Sequence, residues 1–212
     1  MRYPSSRKDE SKARIVASAR KLFNRLGFDA VSVEQIMAEA GLTHGGFYRH
    51  FASKSDLYAE VLQCFFTDPG WENSWDGVSI DLAAADIGPQ IVRAYLSRQH
   101  LLEVDNACPM VALPSDVARA GESAKRAYET VIHAMVEILQ TGAGNHTRPA
   151  RASALAIAAL CVGGMVIAKA SHDGAFADEL RQAAMAVALE LGGWDASTGR
   201  ARRRPRMSSA RE

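Results

Sequence analysis

Between Val31 and Lys54 the chain carries two short helical segments separated by a glycine, and this stretch constrains the fold more than any other. Ser32 is suited to cap a helix N-terminus, and Gln35, three residues on, completes a capping box. Val31 and Ile36 stand where a hydrophobic staple fixes the angle at which the chain enters a helix. Val33, Ile36, Met37 and Ala40 recur at helical spacing and predict the buried face. Gly41 falls where a helix end favours a left-handed residue. Thr43 is the next candidate cap, and Phe47 and Phe51 form an i, i+4 apolar pair on the second segment. Helix, glycine turn, helix is the unit that lays its second helix in the major groove of DNA. The exposed face of that second segment is expected to carry His44, Tyr48, Arg49 and His50, which makes it a candidate recognition helix.

The run Val33 to Phe51, followed by Ser53-Lys54-Ser55-Asp56-Leu57, resembles the DNA-binding signature of the TetR family of bacterial transcriptional regulators. Tyr48, the His50-Phe51 pair and the lysine opening the following helix carry the likeness. Beyond it the chain is similar to the family only in length and helical pattern. The resemblance implies an all-α protein of about nine helices: a three-helix helix-turn-helix domain over residues 1–52, then a helical effector-binding and dimerisation domain over 53–195. It also implies that Tyr48, His50 and Lys54 bind phosphates. Thr43, His44 and Arg49 are the candidates for base edges, with Ser32 opening the same DNA-facing unit. Gly45 and Gly46 weaken a helix by ~1 kcal/mol each relative to alanine. Their expected use is a bare backbone that lets the helix end approach the groove closely. With so few side chains there, part of the selectivity is expected to come from DNA shape.

The net charge of +1 conceals an asymmetry. Residues 1–60 carry a balance of +3, residues 61–195 a balance of −7 and residues 196–212 a balance of +5. A basic front and tail around an acidic body suit a protein that presents one end to phosphates. Residues 196–212, rich in Arg and Ser, are expected to be disordered. Cys64, Cys108 and Cys161 are odd in number and lack metal-ligand spacing, which argues for a reducing compartment and no metal site. The start, MRYPSSRKDESKAR, has no apolar core of a targeting signal. The apolar run Ala152–Ala168 is short for a membrane span and rich in Ala and Gly, so a buried or partner-facing helix is expected. A cytoplasmic protein with no membrane partner and no cofactor follows.

Helical patterns are expected over Asp9–Leu26, Ile80–Glu103, Pro109–Ala120, Glu122–Thr141, Pro149–Ser171 and Phe176–Leu191. Arg14, Arg20, Lys21 and Arg25 on the first of these are expected to be solvated. The last two are unusually apolar. Ala156, Leu160, Gly163, Gly164 and Ile167 form one stripe, and Leu180, Ala183, Ala184, Val187 and Leu191 another. The expected outcome is a homodimer joined by a four-helix interface, as in TetR-like proteins, with a palindromic double-stranded operator as partner. The body between head and interface is expected to enclose a pocket for an apolar or aromatic effector. Its candidate residues are Phe65, Phe66, Leu96, His100, Cys108, Met110, Val111, Leu113, Val117 and Tyr128, with Trp71 and Trp75 in a nearby loop. Cys108, before Pro109, is placed at a helix N-cap, a position that lowers a thiol pKa, although Glu103 and Asp105 oppose that effect. A small buried thiol is the plainer reading.

Enzyme readings find little in the residues. Gly142-Ala143-Gly144 follows a helical pattern and not a strand, and His100, His133, His146 and His172 have no i, i+4 partner. The expected function is therefore a non-enzymatic repressor released by a small molecule or by modification of Cys108. The alternatives are an effector-independent DNA-binding protein and, remotely, a thiol-dependent enzyme on a helical scaffold.

Overall fold

The computed structural model describes residues 7–64, 80–81, 83–105, 107–141 and 149–194. Among the described residues there are ten α-helices, one 3-10 helix and no strand. The helices are α1 (Arg7–Leu26), α2 (Val33–Glu39), the 3-10 helix His44–Arg49, α3 (Lys54–Cys64), α4 (Ile87–Tyr95), α5 (Arg98–Leu102), α6 (Pro109–Ala112), α7 (Pro114–Arg119), α8 (Glu122–Gln140), α9 (Arg151–Ala170) and α10 (Gly174–Leu191).

Local chemistry sets the head. The Ser32 hydroxyl accepts from the Gln35 N–H at 3.2 Å, and the Gln35 side chain accepts from the Ser32 N–H at 2.8 Å, closing the capping box. Gly27 and Gly41 both have positive φ, at 79° and 64°, as their places after α1 and α2 require. Ser53 caps α3 by accepting from the Asp56 N–H at 3.1 Å. Around these turns Ile15, Ala19 and Phe23 of α1, Ile36 and Met37 of α2, Phe47, and Leu57, Tyr58 and Leu62 of α3 form one buried cluster. Leu113 and Val117, together with Ala124 and Ala127 of α8, complete it. The head core thus runs past residue 52 and borrows one face from α7 and α8.

A second cluster holds the body together. It joins Ile91, Val92, Tyr95 and Leu96 with Val131, Met135 and Leu139, and with Ile157, Cys161 and Met165 of α9. The region expected as one helix over Ile80–Glu103 breaks at Leu96-Ser97. Ser97 accepts from the His100 N–H at 3.1 Å and starts α5 anew. Arg181 of α10, buried at 6 % exposure, donates to the Leu96 carbonyl that the break leaves free, and to Asp178 at 2.8 Å. Pro109–Ala120 likewise divides, because Pro114 has no N–H to continue the ladder. α9 is long and apolar enough to cross a bilayer by length and composition. The body uses it as a packing helix, with Ala154, Ile157, Ala158, Cys161, Met165 and Ala168 buried.

Two of the residues expected at a subunit interface sit inside the chain instead. A Cβ on Gly164 would lie 2.7 Å from the Ala184 Cβ and 3.5 Å from Leu96, and Ala184 is itself buried. Gly164 and Ala184 form the contact where α9 and α10 approach each other. Gly164→Val is therefore expected to wedge the two helices apart and cost about 1–3 kcal/mol of stability, measured by urea unfolding. An unchanged midpoint would contradict this packing. Trp194 closes the other end of α10, its ring seated where a Cβ on Gly88 or Gly192 would clash.

Candidate nucleic-acid interface

The element expected to read DNA is a single 3-10 helix of six residues, His44–Arg49, and not an α-helix. The Gly46 N–H donates to the Thr43 carbonyl at 2.9 Å and the His50 N–H to the Phe47 carbonyl at 2.9 Å. Two adjacent glycines supply no side chains to stabilise a wider turn, and 3-10 pairing over one short stretch is the result. Thr43 makes no side-chain cap bond, so its expected capping role falls away. What anchors the element is Phe47, fully buried, with its ring 5.8 Å from Phe51. Tyr48 stands edge-on to Phe47 at 5.2 Å and is 63 % exposed. His44 and Arg49 are exposed beside it, and Thr43 is exposed at its start.

The two glycines have no steric origin within the chain. A Cβ on Gly45 meets nothing within 4 Å, and one on Gly46 meets Met37 only at 3.5 Å, an ordinary contact. Neither has positive φ. Nothing in the described residues requires glycine at either position, and at Gly45 the bare backbone is open toward the outside.

Most other cations of the head serve the fold. Lys54, expected at a phosphate, donates to the carbonyls of Phe28 and Val31, each at 2.8 Å, and lies over the Phe28 ring at 4.3 Å. It ties the α1–α2 connection to α3 and has one N–H left for an outside acceptor. Arg14, Lys21 and Arg25, expected to be solvated, are knitted in as well. Arg14 donates to the Ala40 carbonyl at the end of α2, Lys21 pairs with Glu39 at 2.7 Å, and Arg25 forks onto the Asp105 carboxylate. Lys12 pairs with Glu60 at 2.6 Å. His50, expected at a phosphate, is half-buried with its Nδ1 enclosed in a notch beside Met37, Leu42 and Arg49. The outward polar set is thus narrower than the sequence implied: Thr43, His44, Tyr48 and Arg49, around open backbone. Glu34 joins it unannounced by the sequence pattern, its Oε1 3.1 Å from His44 Nε2.

The body carries the remaining expected residues. Leu96, Cys108, Met110 and Val111 meet in its core, with His100 fully buried nearby. Tyr128 sits between the two cores and donates to the Met110 carbonyl at 3.1 Å. Leu113 and Val117, expected in the same pocket, turn to the head cluster, because the chain breaks and α7 begins anew at Pro114. Phe65, Phe66, Trp71 and Trp75 lie outside the described residues. Cys108 is at the N-cap of α6 as expected, but α6 has only four residues. Burial prevails over any helix-end effect and pushes the thiol up to about 11, against weaker opposing bonds from Met110 and Tyr95. Burial likewise pushes Cys161 up to about 12. Alkylation of the native protein at neutral pH is therefore expected to label half-exposed Cys64 first, and Cys108 and Cys161 only on denaturation. Mass spectrometry of labelled peptides reads the order; prompt labelling of Cys108 would contradict it.

Beside the packing of α3 on α8, polar bonds tie α1 and its following turn to the segment before α6 and to α7. Asn24 Nδ2 donates to the carbonyls of Asp105 and Ala107 at 3.1 and 3.2 Å, and the Phe28 N–H donates to the Asp116 carboxylate at 2.9 Å. On the far side of the body, Leu155, Ile167, Phe176, Val187 and Leu191 are exposed apolar residues of α9 and α10. Ile167, Val187 and Leu191 were expected on that face, with Ala156 and Ala183, which are exposed too. Leu160, Gly163 and Leu180 are half-buried at its edge. Leu155 and Phe176 add to it, the latter continuing the Leu180, Ala183, Val187, Leu191 spacing by one turn.

The model of the family "Bacterial regulatory proteins, tetR family" matches residues 15–61. The transcriptional regulator SrpR of Pseudomonas putida is 31% identical over 90 residues, covering 39% of this chain and 42% of its own length. The regulator TtgW of Pseudomonas putida is 32% identical over 89 residues, 38% of this chain and 66% of its own. YerO of Bacillus subtilis is 41% identical over 57 residues, 27% of this chain and 20% of its own. The matched segment thus spans less than two thirds of each of these relatives. Whole-chain likeness comes from solved structures. A TetR-family regulator from Cytophaga hutchinsonii superposes with a TM-score of 0.69 at 16% identity, over 89% of this chain and 98% of that one. NemR of Escherichia coli in its reduced form does so with 0.68 at 16% identity, over 88% and 99%. At such identity the likeness establishes the fold alone.

Proposed function

Because this chain belongs to the TetR family of bacterial regulatory proteins, we propose that it regulates transcription by binding double-stranded DNA through the 3-10 helix His44–Arg49, not that it catalyses a reaction. The observation that carries the reading is the open backbone at Gly45, beside half-buried Gly46 and framed by exposed Thr43, His44, Tyr48 and Arg49. A groove wall or a phosphate can approach such a surface to van der Waals distance. Tyr48 and Arg49 reach the outside; Lys54 contributes its one free N–H and the rigidity of the α1–α2 connection. Ser32 acts through the α2 cap.

The active species is a homodimer that packs the exposed Ile167, Val187 and Leu191 face of α9 and α10 against its copy, in the cytoplasm. Two heads then meet successive major grooves ~34–36 Å apart on a palindromic operator. The protein acts as a repressor. An apolar or aromatic molecule entering the body near Leu96, Met110, Val111 and Tyr128 displaces α6 and α7. Through Asp116–Phe28 and Asn24–Asp105 that displacement re-aims the head. Its leverage equals its differential affinity for the two states. Modification of Cys108 enters this scheme only after the body opens, given the burial of its thiol.

Selection from a pool of random-sequence duplexes tests the reading. The expected result is one enriched motif with two-fold symmetry, together with a dimeric mass by light scattering. A pool that remains random after repeated rounds would overturn the DNA-binding function, and a monomeric mass would overturn the two-headed arrangement.

A further inference from the structure

The contact between Glu34 and His44 sets an acidic side chain into a surface that otherwise presents donors and open backbone. Glu34 is the second residue of α2 and His44 the first of the 3-10 helix, so the pair bridges the turn at Gly41. Glu34 Oε1 lies 3.1 Å from His44 Nε2, with both side chains about half or more exposed, at 68 % and 47 %. Its own backbone N–H, then the Ser32 hydroxyl, and to a lesser extent His44, hold the Glu34 carboxyl below the usual range. The carboxylate is thus ionised and surrounded by donors on the surface that is to meet a polyanion. Charge alone makes this unfavourable for binding, since a carboxylate repels every phosphate near it.

We infer that Glu34 is a specificity-determining positioning residue, which through His44 makes this part of the surface select a base that offers an amino donor in the major groove. The inference rests on the DNA-binding reading above. In an unprotonated ring, an Nε2–H given to the Glu34 carboxylate leaves Nδ1 as an acceptor. That acceptor complements the N4 amino group of cytosine or the N6 amino group of adenine. It meets the N7 and O6 of guanine acceptor to acceptor. His44 released from Glu34 has either tautomer available and no longer makes the distinction. The edge-on Tyr48 ring, 6.1 Å from His44, limits the imidazole from its other side.

The test is the random-duplex selection carried out with full-length wild type, Glu34→Ala, Glu34→Gln and His44→Ala. Wild type is expected to restrict one position of each half-site to cytosine or adenine on one strand, by roughly tenfold over guanine. Glu34→Ala and His44→Ala are expected to lose the restriction at that same position and keep the rest of the motif. Glu34→Gln, whose amide oxygen still accepts from Nε2–H, is expected to retain it in part. Glu34→Ala is also expected to bind unselected duplex more tightly, because a negative charge has left the interface. A merely structural role would instead weaken binding to all sequences alike, which would refute the inference. A wild-type motif left unchanged by Glu34→Ala would refute this inference alone. Failure of the wild type to enrich any motif would sink the DNA-binding reading and this inference with it.

Discussion

Phe47→Ala is expected to destabilise the protein by about 3–5 kcal/mol and to abolish DNA binding as the head loses its fold. Phe47 is fully buried, and the 3-10 helix that carries it has few internal hydrogen bonds and no side-chain cap. The position of that helix comes from the ring wedged against Phe51, Met37 and the rest of the head cluster. A whole domain is stable by only ~5–15 kcal/mol, so a loss of this size removes much of the margin. Its neighbour gives the contrast. Tyr48→Ala, at a residue whose side chain is largely outside, is expected to leave the urea midpoint within about 0.5 kcal/mol of wild type while weakening DNA binding. The two adjacent substitutions thus separate folding from contact. Equal loss of stability in both would mean that the 3-10 helix is not organised as described.

Acidification is expected to destabilise the body through one residue. His100 is fully buried, its Nδ1 lies 2.6 Å from the Tyr95 carbonyl, and its ring stands edge-on to Tyr95 at 4.9 Å. Burial foremost pushes its pKa down to about 3; the ammonium of Lys169 adds to that, and the bond to Tyr95 opposes it. Lys169 donates to the carbonyls of Leu101 at 2.9 Å and Glu103 at 2.6 Å and so stays close. The folded state therefore holds His100 neutral, whereas an unfolded chain protonates it near pH 6.5. Below that pH the unfolded state binds the extra proton, so stability is fully present above about 6.5 and declines as the pH falls toward 3. The slope is at most about 1.4 kcal/mol per pH unit, which makes the protein about 2 kcal/mol less stable at pH 5 than at pH 7. His100→Asn, which keeps a donor for the Tyr95 carbonyl and has nothing to protonate, is expected to flatten the profile. A wild-type slope retained in His100→Asn would place the effect elsewhere.

Which features could be read from the sequence follows from how far apart the interacting residues are. The capping box of Ser32 and Gln35, the left-handed Gly27 and Gly41 and the buried Phe47 and Phe51 are all decided within a few residues, and each was readable. The 3-10 form of His44–Arg49 was not, because motif and spacing look the same whether that turn is α or 3-10. The family likeness makes Lys54 a phosphate ligand. Its carbonyl partners lie 26 and 23 residues earlier and carry no side-chain signal. Gly164 and Ala184 fitted an outward stripe equally well as an inward one; only the approach of α9 to α10 decides between them. The Glu34–His44 pair crosses a turn, where helical spacing rules do not apply. At Cys108 the sequence showed the helix end and could not show the burial that overrides it.

The central claim is that this head binds DNA selectively through the His44–Arg49 element. A salt-titrated anisotropy assay tests it most directly, using the duplex enriched by selection, a scrambled duplex of the same composition, and full-length protein. The account predicts binding to the enriched duplex at least ~1,000-fold tighter than to the scrambled one, with affinity falling steeply as salt rises. It also predicts that Tyr48→Ala weakens binding without unfolding the protein. Equal binding to both duplexes at every salt concentration would contradict it, and would reduce the head to a nonspecific anchor.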